Sequence, residues 1–161
     1  MYAALGRKEP WEDDSNPPKE NPDQRQVEDL IGFKKVEQVS LVRPAKGETE
    51  EYPTFEYGNE EYAVIPEEDA YQENAWSLFI ESAIYGSDLP IGRYRQVGLY
   101  TGIQSDKEVL LPEEVEENQE TLQFLTNRKP QRRTKNVDIY LNYLVTFKND
   151  KQLTQSVQSI S

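Results

Sequence analysis

The sequence predicts a mainly β protein, built as a small antiparallel sheet or sandwich with long loops, an extended N-terminal arm and at most one or two short helices. Several segments alternate apolar and polar residues with the period of a strand, and glycine and proline interrupt them. The hydrophobic fraction of 35% is low and the charged fraction of 30% is high. This composition predicts a small core, with much of the chain in loops and surface.

The first 33 residues are predicted to form the extended arm, with a possible short helix over residues 24–31. Residues 9–23 are almost all polar or proline, so they bury too little apolar surface to offset the cost of ordering them. Trp11 has two interpretations. It either anchors the arm to a neighbouring subunit or packs back onto its own domain, and we favour the second because buried tryptophan is common in any fold.

Residues 34–150 are predicted to form one β-rich domain. Alternation identifies its main strands over residues 34–43, 76–85, 93–103 and 136–148. The last of these alternates without a break, so it should lie in the interior of a sheet. The chain is expected to end in a polar tail over residues 151–161, frayed or used in a contact.

Shorter features separate these strands. Tyr52, Phe55, Tyr57 and Tyr62 are interleaved with glutamates, which would repel the phosphates of a nucleic acid, so we expect these rings to pack on a hairpin around Gly58. Residues 112–125 could form a short helix that begins at its proline.

Composition excludes most catalytic chemistry. The chain has no histidine and no cysteine, which excludes disulfides, thiolate nucleophiles and the usual zinc ligands. The triplet Glu67 to Asp69 could ligate calcium but lacks the regular spacing of a calcium loop. Glu81 near Arg93 or Arg95 could form a carboxylate site, although a salt bridge explains such a pair equally well. We therefore predict no catalytic, cofactor-binding or metal-binding residue.

The net charge of -12 is unevenly distributed along the chain. Residues 1–75 carry 19 acidic and 8 basic residues, and residues 76–161 carry 11 and 10. Such acidity disfavours binding to nucleic acid and favours a basic protein surface as partner. The one basic cluster, residues 128–135, is predicted to be a loop that contacts an acidic neighbour. No apolar run is long enough to span a bilayer, so we expect a soluble protein made in the cytoplasm.

Three stretches carry a resemblance to a known family. The first is Gly6-Arg7 followed by Pro10-Trp11 and an acidic, proline-rich turn. The second and third are a loop that leads into an apolar strand, with Leu89, Pro90, Gly92, Arg95 and Gln96, and the strand over residues 137–147. In this order they resemble the baseplate wedge subunits of T-even-like contractile-tailed bacteriophages, in the form of a short relative of the dimeric wedge protein. Leu5 departs from the aromatic residue of that family, and the long central insertion of the large subunits has no counterpart.

The resemblance implies a late structural virion protein of the tail baseplate wedge, which acts by assembly with other baseplate and tail proteins. It implies a possible homodimer, no enzymatic activity and a location in the virion after synthesis in the host cytoplasm, and together with the composition we predict no cofactor and no contact with nucleic acid or membrane. The alternative is a small acidic binding protein, such as a DNA-mimicking inhibitor or host-takeover factor.

The stretches and the basic cluster together give the predicted assembly contacts, which are Gly6, Arg7, Pro10, Trp11, Leu89, Pro90, Arg93, Arg95, Gln96, Arg128, Lys129, Arg132 and Arg133. Arg93 and Arg95 keep two interpretations. They are either ordinary exposed strand residues that protect an edge from pairing or residues that bind an acidic subunit surface.

Overall fold

The computed structural model describes residues 1–116, 119–147 and 153–160, and of Phe147 and residues 153–160 it describes the backbone. Strands dominate the described chain, and its helices are 3-10 helices of three residues at Gly47–Thr49, Glu67–Asp69 and Pro112–Glu114. The strands are β1 (Tyr2–Gly6), β2 (Gly32–Lys35), β3 (Gln38–Pro44), β4 (Thr54–Tyr57), β5 (Glu60–Ile65), β6 (Ser77–Ile84), β7 (Gly92–Thr101), β8 (Val109–Leu110), β9 (Thr121–Arg133), β10 (Ile139–Phe147) and β11 (Leu153–Ile160).

The strands form two antiparallel sheets, which confirms the predicted fold class. One sheet has five strands in the order β8-β2-β1-β7-β9, and the other has six in the order β11-β10-β6-β3-β5-β4. The chain divides into two compact units, whereas the sequence analysis assigned one domain to residues 34–150. The first unit comprises residues 1–36 and 82–140, and the second comprises residues 37–81 and 141–160.

Strand β1 lies in the middle of the first sheet. It pairs with β2 on one side and with β7 on the other, and its residues Tyr2 to Leu5 are at most 1% exposed. These four residues are apolar on both faces, as a central strand requires. The predicted arm over residues 1–33 therefore needs correction. Its first residues belong to the sheet, and the part outside the strands is residues 7–31, here called the N-terminal segment.

The core of the first unit is aromatic. The ring of Phe33 meets the rings of Tyr2 and Tyr100 edge to face, with centroids 6.4 and 5.3 Å away. Val27, from the N-terminal segment, is buried in the same cluster. Such ring pairs stabilise a core by about 0.5–1.5 kcal/mol each beyond the area they bury. The N-terminal segment thus contributes to the core and is not only a surface feature.

The strand predicted over residues 34–43 is two strands in different sheets. Strand β2 ends at Lys35 and β3 begins at Gln38. The amide of Val36 donates to the carbonyl of Met1, and the next amide, that of Glu37, donates to the carbonyl of Glu81. The backbone changes its pairing partner between these two residues. Uninterrupted alternation gave no sign of this change.

The second unit confirms several predictions. Strands β6 and β10 occur where alternation indicated them, and β10 is an interior strand between β11 and β6. A hairpin joins β4 to β5 at Gly58, whose φ of +64° suits glycine. The rings of Phe55 and Tyr57 lie 4.6 and 5.2 Å from that of Phe79, so they pack on the core of this unit as expected.

Within the described ranges, neither predicted helix is formed. The amides of Val27 and Glu28 donate to the side chains of Tyr100 and Gln96, so these residues are bonded to β7 and not to a preceding turn. Of the described residues of the second candidate, 112–116 and 119–125, those over 112–114 are helical and the last ones belong to β9. The described part of the tail, residues 153–160, forms β11 instead of fraying.

The basic cluster was predicted to be a loop, and most of it is a strand instead. Its first six residues, up to Arg133, form the end of β9. Pairing with β7 over Gly92 to Thr101 explains this result, because hydrogen bonds from a long neighbouring strand outweigh the loop preference of a charged, proline-containing sequence. A register irregularity accommodates Pro130, which lies opposite the step from Tyr94 to Gln96.

Candidate assembly surface

The first two stretches singled out in the sequence lie in the first unit, whereas most of the third, residues 141–147, belongs to the second unit. The N-terminal segment follows β1 and contacts β7 and β9. Trp11 is its anchor, with 8% of the side chain exposed, and the indole Nε1 donates to the carbonyl of Arg128 at 2.7 Å. The guanidinium of Arg7, 3.9 Å from the Trp11 ring centroid, covers the ring and also pairs with Glu28. Trp11 thus packs onto its own chain, as we favoured from the sequence.

Arg95 is the second anchor of the N-terminal segment. Its side chain is 2% exposed, its Nε and Nη2 donate to the two carboxylate oxygens of Asp14 at 3.0 and 3.1 Å, and its Nη1 donates to the carbonyl of Lys8. The hydrogen bond from Arg95 lowers the pKa of the Asp14 carboxyl. The sequence offered Glu81 as a carboxylate that could lie near Arg93 or Arg95, and in the structure Arg95 pairs with Asp14.

Gln96 and Asn127 hold the remainder of the N-terminal segment. The Gln96 side chain accepts from the amide of Glu28 at 2.8 Å and donates to the Asn127 side chain at 2.8 Å. Asn127 in turn donates its amide to the Glu20 carboxylate at 2.9 Å and its side-chain nitrogen to the Pro18 carbonyl at 3.0 Å. Nothing in the sequence pattern indicated Glu20 or Asn127, since their partners lie about 107 residues away.

The N-terminal segment also covers part of a sheet edge. Strand β9 is the last strand of its sheet, and edge strands present unpaired backbone groups that invite pairing with other chains. Here the amide of Asn127 is bonded by Glu20 and the carbonyl of Arg128 by Trp11. Lys129 and Pro130 follow directly, and both residue types disfavour strand addition. This part of β9 is therefore protected against non-specific backbone pairing with strands of other chains.

Close backbone packing explains the glycine of the first stretch. A Cβ atom at Gly6 would lie 2.2 Å from Cγ1 of Val27 and 2.5 Å from the carbonyl oxygen of Glu28. These distances are shorter than any ordinary contact, so a larger residue would push the N-terminal segment away. Leu89 is similarly internal, with 4% exposed, and packs against Gly32.

Arg133 is buried at the end of β9, with 2% exposed. Its Nη2 donates to the carbonyls of Tyr85 and Gly86 at 3.0 and 3.1 Å, and burial lowers the pKa of its guanidinium. It therefore fixes the chain between β6 and β7 to the end of β9.

The structure thus divides the predicted contact residues by exposure. Those enclosed by their own chain are Gly6, Trp11, Leu89, Arg95, Gln96 and Arg133, with Arg7 and Arg128 partly enclosed. Those exposed are Pro10, Pro90, Arg93, Lys129 and Arg132. Arg93 and Arg132 are directly opposite each other on β7 and β9, so their side chains share one face of the sheet. We call these two residues the arginine pair.

A second polar cluster, in the second unit, was not found from the sequence. The buried Arg43 donates to Glu50 and to Glu73, with its Nη2 3.0 Å from Oε2 of Glu50. The hydrogen bond from Arg43 lowers the pKa of Glu50 to about 2. This cluster fixes the acidic loop that follows β3, and we interpret it as structural because each of its charges has a partner.

The acidic triplet near this cluster forms a 3-10 helix, Glu67–Asp69. Asp69 accepts a hydrogen bond from the hydroxyl of Tyr52 at 2.9 Å, and this bond raises the pKa of Tyr52 to about 12. Among the described residues, no group of three or more acidic side chains is arranged to hold a metal ion. No helix in the described ranges has the length and apolar character to cross a membrane.

Comparison with known proteins agrees with the resemblance seen in the sequence. Residues 1–147 match the model of a protein family described as baseplate wedge 3 tail fiber network component. The chain is also similar to Virion protein 3 of Enterococcus phage phiEF24C. The two sequences are 38% identical over 160 residues, which cover 96% of this chain and 88% of the relative.

Proposed function

Because the chain belongs to the family of baseplate wedge 3 tail fiber network components, a family of structural bacteriophage virion proteins, we propose that it is a component of the tail baseplate wedge of a contractile-tailed phage. The match over residues 1–147 carries this proposal, since it includes all of β1 to β10. In this role the protein acts by contact with other baseplate and tail proteins and catalyses no reaction.

The arrangement of charge supports assembly through the surface of β7 and β9. Arg95 and Gln96 bond to the protein's own backbone and side chains, so they give this surface its shape. Arg93, Lys129 and Arg132 remain exposed on the same two strands. Arginine recognises carboxylates through charge-assisted, often bidentate, hydrogen bonds. We propose that these three exposed residues bind an acidic surface in the baseplate.

We also propose where the protein is located and which molecules it contacts. The protein is made in the host cytoplasm and enters the virion at the tail baseplate, where it contacts other baseplate proteins and a second copy of itself. It contacts neither nucleic acid nor membrane. The net charge of -12 supports this choice of partner, because a polyanion repels an acidic chain over most of its surface.

Mass spectrometry of purified particles tests the location. Tails are separated from heads, and the amount of this chain is compared with that of the tail tube protein. We expect the chain in the tail fraction at a low copy number that is a multiple of six. Absence from particles, with abundant protein in infected cells, would contradict the proposal and favour an acidic inhibitor.

Chemical cross-linking of the same tails tests the surface. Lys129 is exposed on β9, so an amine-reactive cross-linker should join it to a neighbouring baseplate protein or a second copy. The exposed Lys107, bonded to Glu114 and outside β7 and β9, provides the comparison. Equal yields of intermolecular cross-links at the two lysines, or none at Lys129, would contradict the assignment of this surface.

A further inference from the structure

Two pairs of exposed, like-charged residues lie opposite each other on neighbouring strands, and the first is the arginine pair. Arg93 and Arg132 occupy directly opposite positions of an antiparallel ladder, where the Cβ atoms lie about 4.5–5.5 Å apart. Like charges at this distance repel each other and weaken the pairing of their own strands. Asp14 is near enough to Arg93 to have its pKa lowered by it, but both oxygens of that carboxylate are bonded to Arg95.

The second pair has the opposite sign and the same geometry. Glu56 on β4 is directly opposite Glu61 on β5, and both side chains are exposed. Strand β4 is the last strand of its sheet, so one side of this hairpin has no neighbouring strand within the described ranges. Within the described part of the chain, none of the salt bridges involves Arg93, Arg132, Glu56 or Glu61.

We propose that the arginine pair of one copy binds the Glu56 and Glu61 pair of a second copy, which deepens the role in assembly proposed above. Both pairs are cross-strand neighbours, so two guanidinium groups and two carboxylates are presented at matching separation. Each arginine then donates to one carboxylate, and the repulsion within each pair is replaced by attraction between the copies. Charge complementarity, and the equal spacing of the two pairs, identify a second copy as the occupant.

This contact is head to tail, because it joins different surfaces of the two copies. After the first contact one copy retains a free glutamate pair and the other a free arginine pair, so further copies can be added. Exposed ion pairs are weak and screened by salt. Association should therefore be detectable at high protein concentration and low ionic strength, and it should weaken at least about tenfold between 0.1 M and 1 M salt as the Debye length falls from about 10 Å to about 3 Å.

Sedimentation velocity of the purified full chain, over a concentration series at low ionic strength, measures this association. The first variant, R93E/R132E, carries acids at both surfaces, and the second, E56R/E61R, carries bases at both. We expect each variant alone to be monomeric and an equimolar mixture of the two to associate. The control variant K19E/R25E makes the same change in net charge as the first variant at two exposed residues outside the pair, and it should associate like the wild type.

Circular dichroism of each variant verifies folding before the association is measured. A wild-type chain that stays monomeric, or a mixture of the two variants that does not associate, overturns the proposal. The proposed role in the baseplate is tested separately by the content of purified tails. If the protein is present in tails but does not self-associate, the proposed contact between copies has failed. If it self-associates but is absent from tails, the proposed role in the baseplate has failed.

Discussion

Trp11 holds the N-terminal segment on β9, and its replacement gives the most direct test of how the segment is stabilised. The substitution W11A removes a side chain that is only 8% exposed and deletes the hydrogen bond from Nε1 to the carbonyl of Arg128. It also removes the ring that the Arg7 guanidinium covers at 3.9 Å. Each loss acts on the same segment, so all three should reduce the free energy of unfolding.

The expected magnitude follows from the buried surface. A buried tryptophan hides about 150–250 Å². At about 25 cal/mol per Å² this area corresponds to roughly 4–6 kcal/mol, an upper bound because the unfolded chain is not fully extended. Tryptophan-to-alanine changes in cores cost about 3–5 kcal/mol, and we expect W11A to fall in that range. W11F keeps a six-membered ring but loses the hydrogen bond and part of the indole, so it should cost less than W11A, about 1–3 kcal/mol.

Urea unfolding followed by far-ultraviolet circular dichroism measures these differences, and tryptic cleavage after Lys19 and Arg25 measures opening of the N-terminal segment. W76A is the matched control. Trp76 is 49% exposed, so by buried area its replacement should lower the free energy of unfolding about half as much as W11A does. A loss below about 0.5 kcal/mol for W11A, with unchanged cleavage, would refute the argument. A loss for W76A equal to that for W11A would show that burial does not set the cost.

Two further predictions concern other parts of the chain. In G86A the new Cβ would lie 2.0 Å from the carbonyl oxygen of Lys135. We therefore expect thermal unfolding to show a free energy of unfolding that is lower by about 1–3 kcal/mol or more. The control S87A, at an exposed residue, should change the free energy of unfolding little. The pKa of Glu50 falls from 4.5 to about 2, so its bond to Arg43 stabilises the folded state fully above pH 4.5 and progressively less as the pH falls toward 2. In E50Q the urea midpoint should depend less on pH in this interval, and identical profiles for E50Q and the wild type would contradict this.

The sequence predicted the strands whose pattern is local. Strands β6, β7 and β10 alternate over eight or more residues, so their positions were predictable, but the burial of β6 and β7 on both faces does not follow from that pattern. The hairpin at Gly58 was also predictable, because glycine in a two-residue turn is a local signal. Strand β1 was not recognised because five residues are too few for a period to be seen beside a long polar segment.

The sequence could not predict which charged residues are buried. Arg95 was expected to contact a partner, and it is enclosed because Asp14, 81 residues earlier, supplies its counter-charge. Charge alone predicts exposure, and a buried pair is visible only after the fold has brought its members together. Arg93 has the same charge two residues away and remains exposed, so composition and spacing could not have distinguished them.

The central position of β1 determines the order in which the first unit can fold. Tyr2 pairs with Lys35 of β2 on one side and with Tyr100 of β7 on the other. The two strands that flank β1 are therefore synthesised at very different times. During translation the pairing with β2 can form early, whereas the other edge of β1 waits for some hundred residues before β7 arrives. Closure of so long a loop is slow, and a waiting strand edge can pair with another chain. Production at reduced temperature and low expression rate should therefore favour the folded protein over aggregates.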